Sequence, residues 1–315
     1  MVPSAVAPLM TGSIVLRPVS TSELLDRTFF LYRNHFLVFA GIAAISELPV
    51  IALRVGNIAL AFHGVPISRV TGTIVTLVGV FVTLSISQAA TVIAVSDLHL
   101  ERVCTIRGAY ALARRAMIRV IWISFVVGIA IPCAIGFPVG FLLLMVLILV
   151  GLERVAGEAF LGPIGLIVIV AVATRVWLAW SLVVPVTVLE QTGLRASMRR
   201  SRFLTKGTLG RIFVICLLVV VLTWTVRVMF QLPVFAVERW TTIRSGRVAN
   251  NGSLVFLAIG TSLGAILVGP LLTITLTLQY YDSRVRKEGF DLELMMSNLA
   301  SASEPEPVSA TVEMK

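Results

Sequence analysis

Six runs of mostly apolar residues decide what this chain can fold into: 36–55, 73–95, 120–150, 162–189, 212–237 and 254–281. A helix needs about 20 such residues to cross the hydrocarbon core of a bilayer, and each run is long enough. Inside lipid, backbone polar groups are satisfied within helices or closed barrels, so runs of this length predict helices. Only 13% of the residues are charged, against roughly a quarter in soluble domains. The predicted fold class is all-α, a polytopic membrane bundle of six transmembrane helices. The third run is too long for one straight span at about 1.5 Å per residue. With Pro132, Gly136, Pro138 and Gly140 inside it, the run reads as one kinked helix or as a broken one.

A net charge of +10 would suggest nucleic acid in a soluble protein. Here the basic residues have first to be placed relative to the bilayer, because loops rich in Lys and Arg stay cytoplasmic. With six spans, 18 of the 26 basic residues fall on one side and six on the other, leaving Arg175 and Arg227 within spans. A seventh span would put the cluster at 195–211 on the wrong side. The sequence therefore predicts a multi-pass membrane protein with both termini cytoplasmic. Residues 56–72, 151–161 and 238–253 are the expected outer loops.

The first sixteen residues hold no Lys or Arg, so the charged start of a signal peptide is missing. Residues 1–19 read as a disordered lead-in, with Met10 a second candidate start. A single membrane domain is expected over 20–296, and a disordered cytoplasmic tail over 297–315. The three cysteines, Cys104, Cys133 and Cys216, form no CxxC pair, and neither a disulfide framework nor a zinc site is indicated.

Each even-numbered span ends on an acid: Asp97, Glu190 and Asp282. A basic, amphipathic stretch and then the next span follow the first two acids, at 107–119 and 195–211. The same element precedes span one at 20–36, where Ser20 and Glu23 fit a capping box. Leu25, Phe29, Tyr32 and Phe36 fall on one face of that helix. The unit is amphipathic helix, span, short loop, span, and three parallel repeats are expected at about 20–97, 105–190 and 194–282. Such symmetry occurs in transporters, and it also arises from simple duplication of a hairpin that cannot bury its own polar edges.

Two further segments carry a family pattern. LRPVSTSELLDRTFFLYRNHF (16–36) and YYDSRVRKEGFDLEL (280–294) resemble the bacterial glycerophosphoryl diester phosphodiesterase membrane domain family. The middle segment VPVTVLEQTGLRASMRRSRFLTKGTLGRIF (184–213) is similar to that family's pattern of Pro, Glu, then an Arg-Ser pair. The resemblance implies a six-span domain of the bacterial inner (plasma) membrane, linked to lipid or glycerophosphodiester metabolism. The soluble phosphodiesterase barrel that names the family is absent from this sequence. The histidines, His35, His63 and His99, are scattered over both sides of the membrane, so no catalytic residue and no metal ligand is assigned.

Glu47 and Arg175 fall near the middle of spans one and four. An isolated charge there costs about 2.5–3.5 kcal/mol on insertion scales, so opposite charges at similar depth should meet. They are the candidate intramembrane polar site, with Gln88 and Arg227 as outer partners. The bland alternative is an ion pair that fixes helix packing. Arg199, Arg200, Arg202 and Lys206 are candidate lipid-phosphate contacts, or charges that only enforce orientation. GTSLG (260–264) matches G-x-S-x-G, but no histidine lies in a span to serve Ser262 as base. It reads better as a GxxxG packing face, as does 136–140. Tyr280 and Tyr281 are expected in the aromatic belt, and Trp177 and Trp180 as packing residues. Asn251-Gly252-Ser253 is a glycosylation sequon, idle in a bacterial protein. No HExxH, P-loop or dinucleotide fingerprint is present.

Two functions follow as expectations. One is a non-catalytic membrane scaffold or accessory module, with the lipid bilayer, anionic lipid headgroups or a membrane partner protein as its contacts. The other is a small-molecule transporter or permease with a mid-membrane polar site. No enzyme activity, cofactor or nucleic-acid partner is expected.

Overall fold

The computed structural model describes residues 20–63, 69–100, 102–130, 161–245 and 251–289, nearly all of them in helices and the turns that join them. In chain order the helices are α1 (Thr21–Asn34), α2 (Phe36–Phe62), α3 (Arg69–His99), α4 (Ile106–Ala113), α5 (Met117–Phe125), α6 (Leu161–Ala179), α7 (Val183–Leu189), α8 (Leu194–Thr205), α9 (Leu209–Ser245) and α10 (Asn251–Glu288). Five stretches are long and apolar enough to cross a membrane: Phe36–Leu60, Val70–His99, Val170–Leu189, Leu209–Pro233 and Leu254–Glu288. The chain is a multi-pass helical membrane protein. A shorter apolar helix, Met117–Gly128, opens the third predicted span. The rest of that span, with Cys133 and the 136–140 motif, lies outside the described residues. So do the lead-in at 1–19, the tail at 297–315, and nearly all of the expected loop at 151–161.

The helices outrun the sequence expectation. The loop expected at 56–72 is mostly helix: α2 continues to Phe62 and α3 begins at Arg69. Asn57, placed in that loop, instead ties the hairpin, donating to the Gly72 carbonyl at 2.9 Å and to Thr76 Oγ1 at 2.7 Å. The loop expected at 238–253 shrinks in the same way, because α9 runs to Ser245 and α10 starts at Asn251. Polar residues past the apolar run do not stop a helix unless a breaker does. The fourth run shows the opposite deviation, being interrupted at Trp180–Leu182 between α6 and α7. Pro185 cannot donate to the carbonyl of Ser181, and that missing bond lies at the break.

Ser20 caps α1 as expected, accepting from the Glu23 N–H at 3.2 Å. The buried stripe is turned from the expected one. Leu24 and Thr28 are fully buried, Leu25 and Tyr32 pack partly, and Phe29 and Phe36 are exposed. Thr105 caps α4 through the Gly108 N–H at 3.1 Å. Gly207, with φ +86°, makes the turn from α8 to α9, a conformation open to glycine at little cost.

The core is built mainly where α10 packs on α9, α2 and α3. Gly260 and Gly264 face α9, which gives the GxxxG reading physical content. A Cβ on Gly260 would stand 3.0 Å from the Phe230 carbonyl oxygen, and one on Gly264 3.4 Å from the Arg227 Cα. Ser262, between them, is fully buried and faces Arg54.

Candidate functional site

Four helices, α2, α3, α9 and α10, line a cavity of about 320 Å³. Its charged and amide groups are Glu47 from α2, Gln88 from α3 and Arg227 from α9. Hydroxyls from Ser87, Thr91 and Thr273 also reach it, and α10 contributes Gly269 and Pro270 to the wall. Thr83 and Thr223 line it too, but each donates its proton to its own helix, to Gly79 at 2.9 Å and Val219 at 2.6 Å. Their oxygens therefore present lone pairs. The pocket has the mixed lining, apolar with a few converging polar groups, of a small-molecule site.

Three of these four helices carry an internal proline: Pro49 in α2, Pro233 in α9 and Pro270 in α10. Each removes a helical N–H and frees the carbonyl four residues earlier. In a membrane such carbonyls must find partners in protein or a polar cavity. Next to the Pro270 break, Tyr32 of α1 donates to the Leu267 carbonyl. Burial pushes the Tyr32 hydroxyl up to about 12, which keeps it a donor. On the other wall, the hydroxyls of Ser46 and Tyr110 meet at 2.7 Å, and Tyr110 also donates to the Ile42 carbonyl at 2.8 Å. Thus α1 and α4, short amphipathic helices, hold the spans that form the cavity.

Glu47 does not pair with Arg175. The groups acting on its carboxylate are Arg54, the Ser262 hydroxyl and Arg227. Arg54 Nη1 in turn donates to Ser262 Oγ at 3.4 Å. Arg175 is exposed on α6 and does not line the cavity. Depth alone suggested the Glu47–Arg175 pairing, but depth says nothing about which way a side chain faces. Arg227, expected as an outer partner, is on the cavity wall, as is Gln88. Arg54 escapes the sequence reading because the apolar run predicts a span that ends at Val55. Its position seven residues after Glu47, two turns along the same face, was the available signal.

The charges inside the site are left incompletely matched. Glu47 Oε2 and Arg227 Nε are both buried with no hydrogen-bond partner among the described residues. Arg227 acts on Glu47 only through space, with no ion-pair contact between them among those residues.

A second polar cluster gathers where α3, α7 and α10 end. Tyr280 donates to Glu190 Oε1 at 3.0 Å, and the Tyr281 hydroxyl meets Ser96 Oγ at 2.8 Å. Both tyrosines are buried, which corrects their expected place in an aromatic belt. The three acids at the ends of the even-numbered spans each have a cation nearby. Asp97 has Arg102, Glu190 has Arg200 at 3.1 Å, and Asp282 has Arg211 at 3.0 Å and Arg286 at 2.9 Å.

Of the four candidate lipid-phosphate residues, Arg200 is committed inward, bonding both Glu190 and Glu288, the latter at 2.8 Å. Arg199, Arg202 and Lys206 are exposed, with the Arg202 guanidinium 5.8 Å over the Trp180 ring. Lys287 donates to the Phe203 and Lys206 carbonyls, closing the C-terminal end of α8. Among the described residues, no three His, Cys, Asp or Glu side chains are grouped to hold a metal. Comparison with protein-family models, with curated proteins and with solved structures found no match.

Proposed function

We propose that this chain is a small-molecule transporter or permease whose solute passes through the mid-membrane cavity. The observation that carries the reading is the cavity itself, with Glu47 and Arg227 facing it and one polar atom of each unmet. A buried donor or acceptor without a partner costs about 1–3 kcal/mol, more when charged. A chain that keeps two of them beside a cavity has a use for a polar occupant. Three prolines in the enclosing helices add points where the walls can bend.

In this reading the chain has six spans in three parallel repeats and lies in a bacterial inner membrane with both ends cytoplasmic. It carries no chemistry of its own. The test is flux through proteoliposomes of the purified protein, read by osmotic swelling with polyols, amino acids and phosphoesters in turn. At least one class should enter faster than into protein-free vesicles, and Gln88→Leu should abolish the difference. Equal swelling with and without protein for all three classes overturns the reading.

A second reading has its own observation. The exposed Arg199, Arg202 and Lys206 form a basic face suited to anionic headgroups or a partner protein. With the resemblance to the glycerophosphoryl diester phosphodiesterase membrane domain family, they support a non-catalytic scaffold or accessory module linked to lipid or glycerophosphodiester metabolism. Binding of a short-chain anionic lipid to the protein in maltoside micelles, weakened by neutralising these three residues while flux stays absent, would favour it.

A further inference from the structure

We propose that the cavity binds a small zwitterion, its cationic end at Glu47 and its anionic end at Arg227. This inference rests on the solute-site reading above and names the chemical class of the solute. Three observations converge on it. First, the two unmet atoms are of opposite kinds: Glu47 Oε2 needs a donor and Arg227 Nε needs an acceptor. A lone cation or a lone anion would satisfy one and leave the other stranded. Second, the two side chains line one cavity with no ion-pair contact between them among the described residues. Opposite charges in a low-dielectric interior attract strongly, so a gap between them is a natural place for a group of matched, opposite polarity. Third, Thr83 and Thr223 line the cavity and spend their protons on their own helices, so their hydroxyl oxygens are left as acceptors. An ammonium brings three donors and no acceptor, which suits such a wall.

Size sets the scale of the solute. At about 320 Å³ the cavity lies at the small end of the roughly 300–1,000 Å³ range of small-molecule sites, so the solute is small. Leu84 of α3 and Trp224 of α9 line the cavity and are also exposed on the bundle exterior. The cavity therefore borders the surroundings along the seam between α3 and α9. The same zwitterionic chemistry can arrive as a free solute or as a lipid headgroup reaching in through that seam.

The experiment is thermal unfolding of the full chain in maltoside micelles with defined probes. Free phosphoethanolamine and β-alanine represent soluble zwitterions, and dihexanoyl-phosphatidylethanolamine the headgroup. Ethanolamine, inorganic phosphate and glycerol are the single-charge and neutral controls. At least one zwitterion should raise Tm by several degrees at concentrations where the controls do not. Glu47→Gln and Arg227→Gln should each raise the concentration needed by at least about tenfold, since each removes one end's partner. A response to the free probes alone identifies a soluble ligand, and one to the lipid alone identifies a headgroup; both support the inference. Glycerol stabilising as well as any zwitterion overturns the inference but leaves the solute-site reading standing. Silence from every probe, as from a cavity that holds water only, also overturns it, and the flux assay then decides the broader reading separately. If the variants fail to fold, the comparison of zwitterions with single-charge probes on the unaltered chain still decides.

Discussion

Gly264 of α10 lies so close to Arg227 of α9 that a Cβ on the glycine would stand 3.4 Å from the arginine Cα. The packing seam of the last hairpin and the positive wall of the cavity are therefore the same piece of backbone. One turn earlier, the Gly260 position is tighter: a methyl carbon there would stand 3.0 Å from the Phe230 carbonyl oxygen.

That difference gives the first prediction. Gly260→Ala must push a backbone oxygen that cannot swing aside, and overpacking of this kind costs about 1–3 kcal/mol. Gly264→Ala meets an ordinary contact and gains helix propensity, worth about 0.5–1 kcal/mol. Thermal unfolding in micelles should therefore rank Gly264→Ala at or above the unaltered chain and Gly260→Ala below it. Equal effects at the two sites would remove the close seam as the explanation.

The second prediction concerns Arg200. It holds Glu190 and Glu288 together, while Tyr280 donates to the same Glu190 oxygen. Hydrogen bonds to charged groups are worth about 1.5–3 kcal/mol, and these side chains are only partly exposed. Arg200→Ala should destabilise by about 2 kcal/mol, whereas Arg199→Ala, on the exposed face, should stay within about 0.5 kcal/mol. If the two cost the same, the inward clasp is not what holds α8 to α10.

Cys104 supplies a pH test. Burial, and then the Asp97 carboxylate, push its thiol above the ordinary value. A raised pKa means less thiolate at any given pH, and thiolate is the reactive form. In a chain with Cys133 and Cys216 replaced by Ala, maleimide labelling at pH 8 should be slower than for an exposed thiol, and its half-maximum should lie above the usual pH. Asp97→Asn removes one of the two causes, so it should speed labelling at pH 8. Unchanged labelling in that variant would mean the carboxylate does not act on the thiol.

These residues also show how much of the molecule the sequence made legible. Apolar length revealed helices crossing a membrane, and Ser20 with Glu23 marked the start of α1, because both are local properties. The partner of Glu47 was not legible, since distance along a span reports depth but not facing. Depth matches Arg175 to Glu47 and leaves Arg227 only an outer partner, yet the first is exposed and the second lines the cavity. Tyr280 and Tyr281 do lie near the end of a span but turn inward, because Ser96 and Glu190, distant in sequence, offer their hydroxyls partners. The helices' excess length was hidden by treating the end of an apolar run as the end of a helix, which misplaced Asn57 and Arg54.

The last prediction uses that contrast in facing. Glu47 has Ser262, Arg54 and Arg227 around it, and Arg175 is not among its partners. Side chains that interact show coupling of about 0.5–3 kcal/mol in a double-mutant cycle, while independent ones add within about 0.3–0.5 kcal/mol. Arg227→Gln alone strips Glu47 of a neighbouring positive charge, and Glu47→Gln alone does the reverse to Arg227. The pair of changes together should cost less than the sum of the two, because each relieves the charge the other would strand. Arg175→Met should behave differently, being neutral or stabilising where an exposed span residue gives up a charge that is costly in lipid. Combined with Glu47→Gln it should simply add. Unfolding of these variants in the same micelles measures both cycles. Coupling between Glu47 and Arg175, with none between Glu47 and Arg227, would mean that the cavity's charged walls are not those described and that the polar site must be rebuilt around α6.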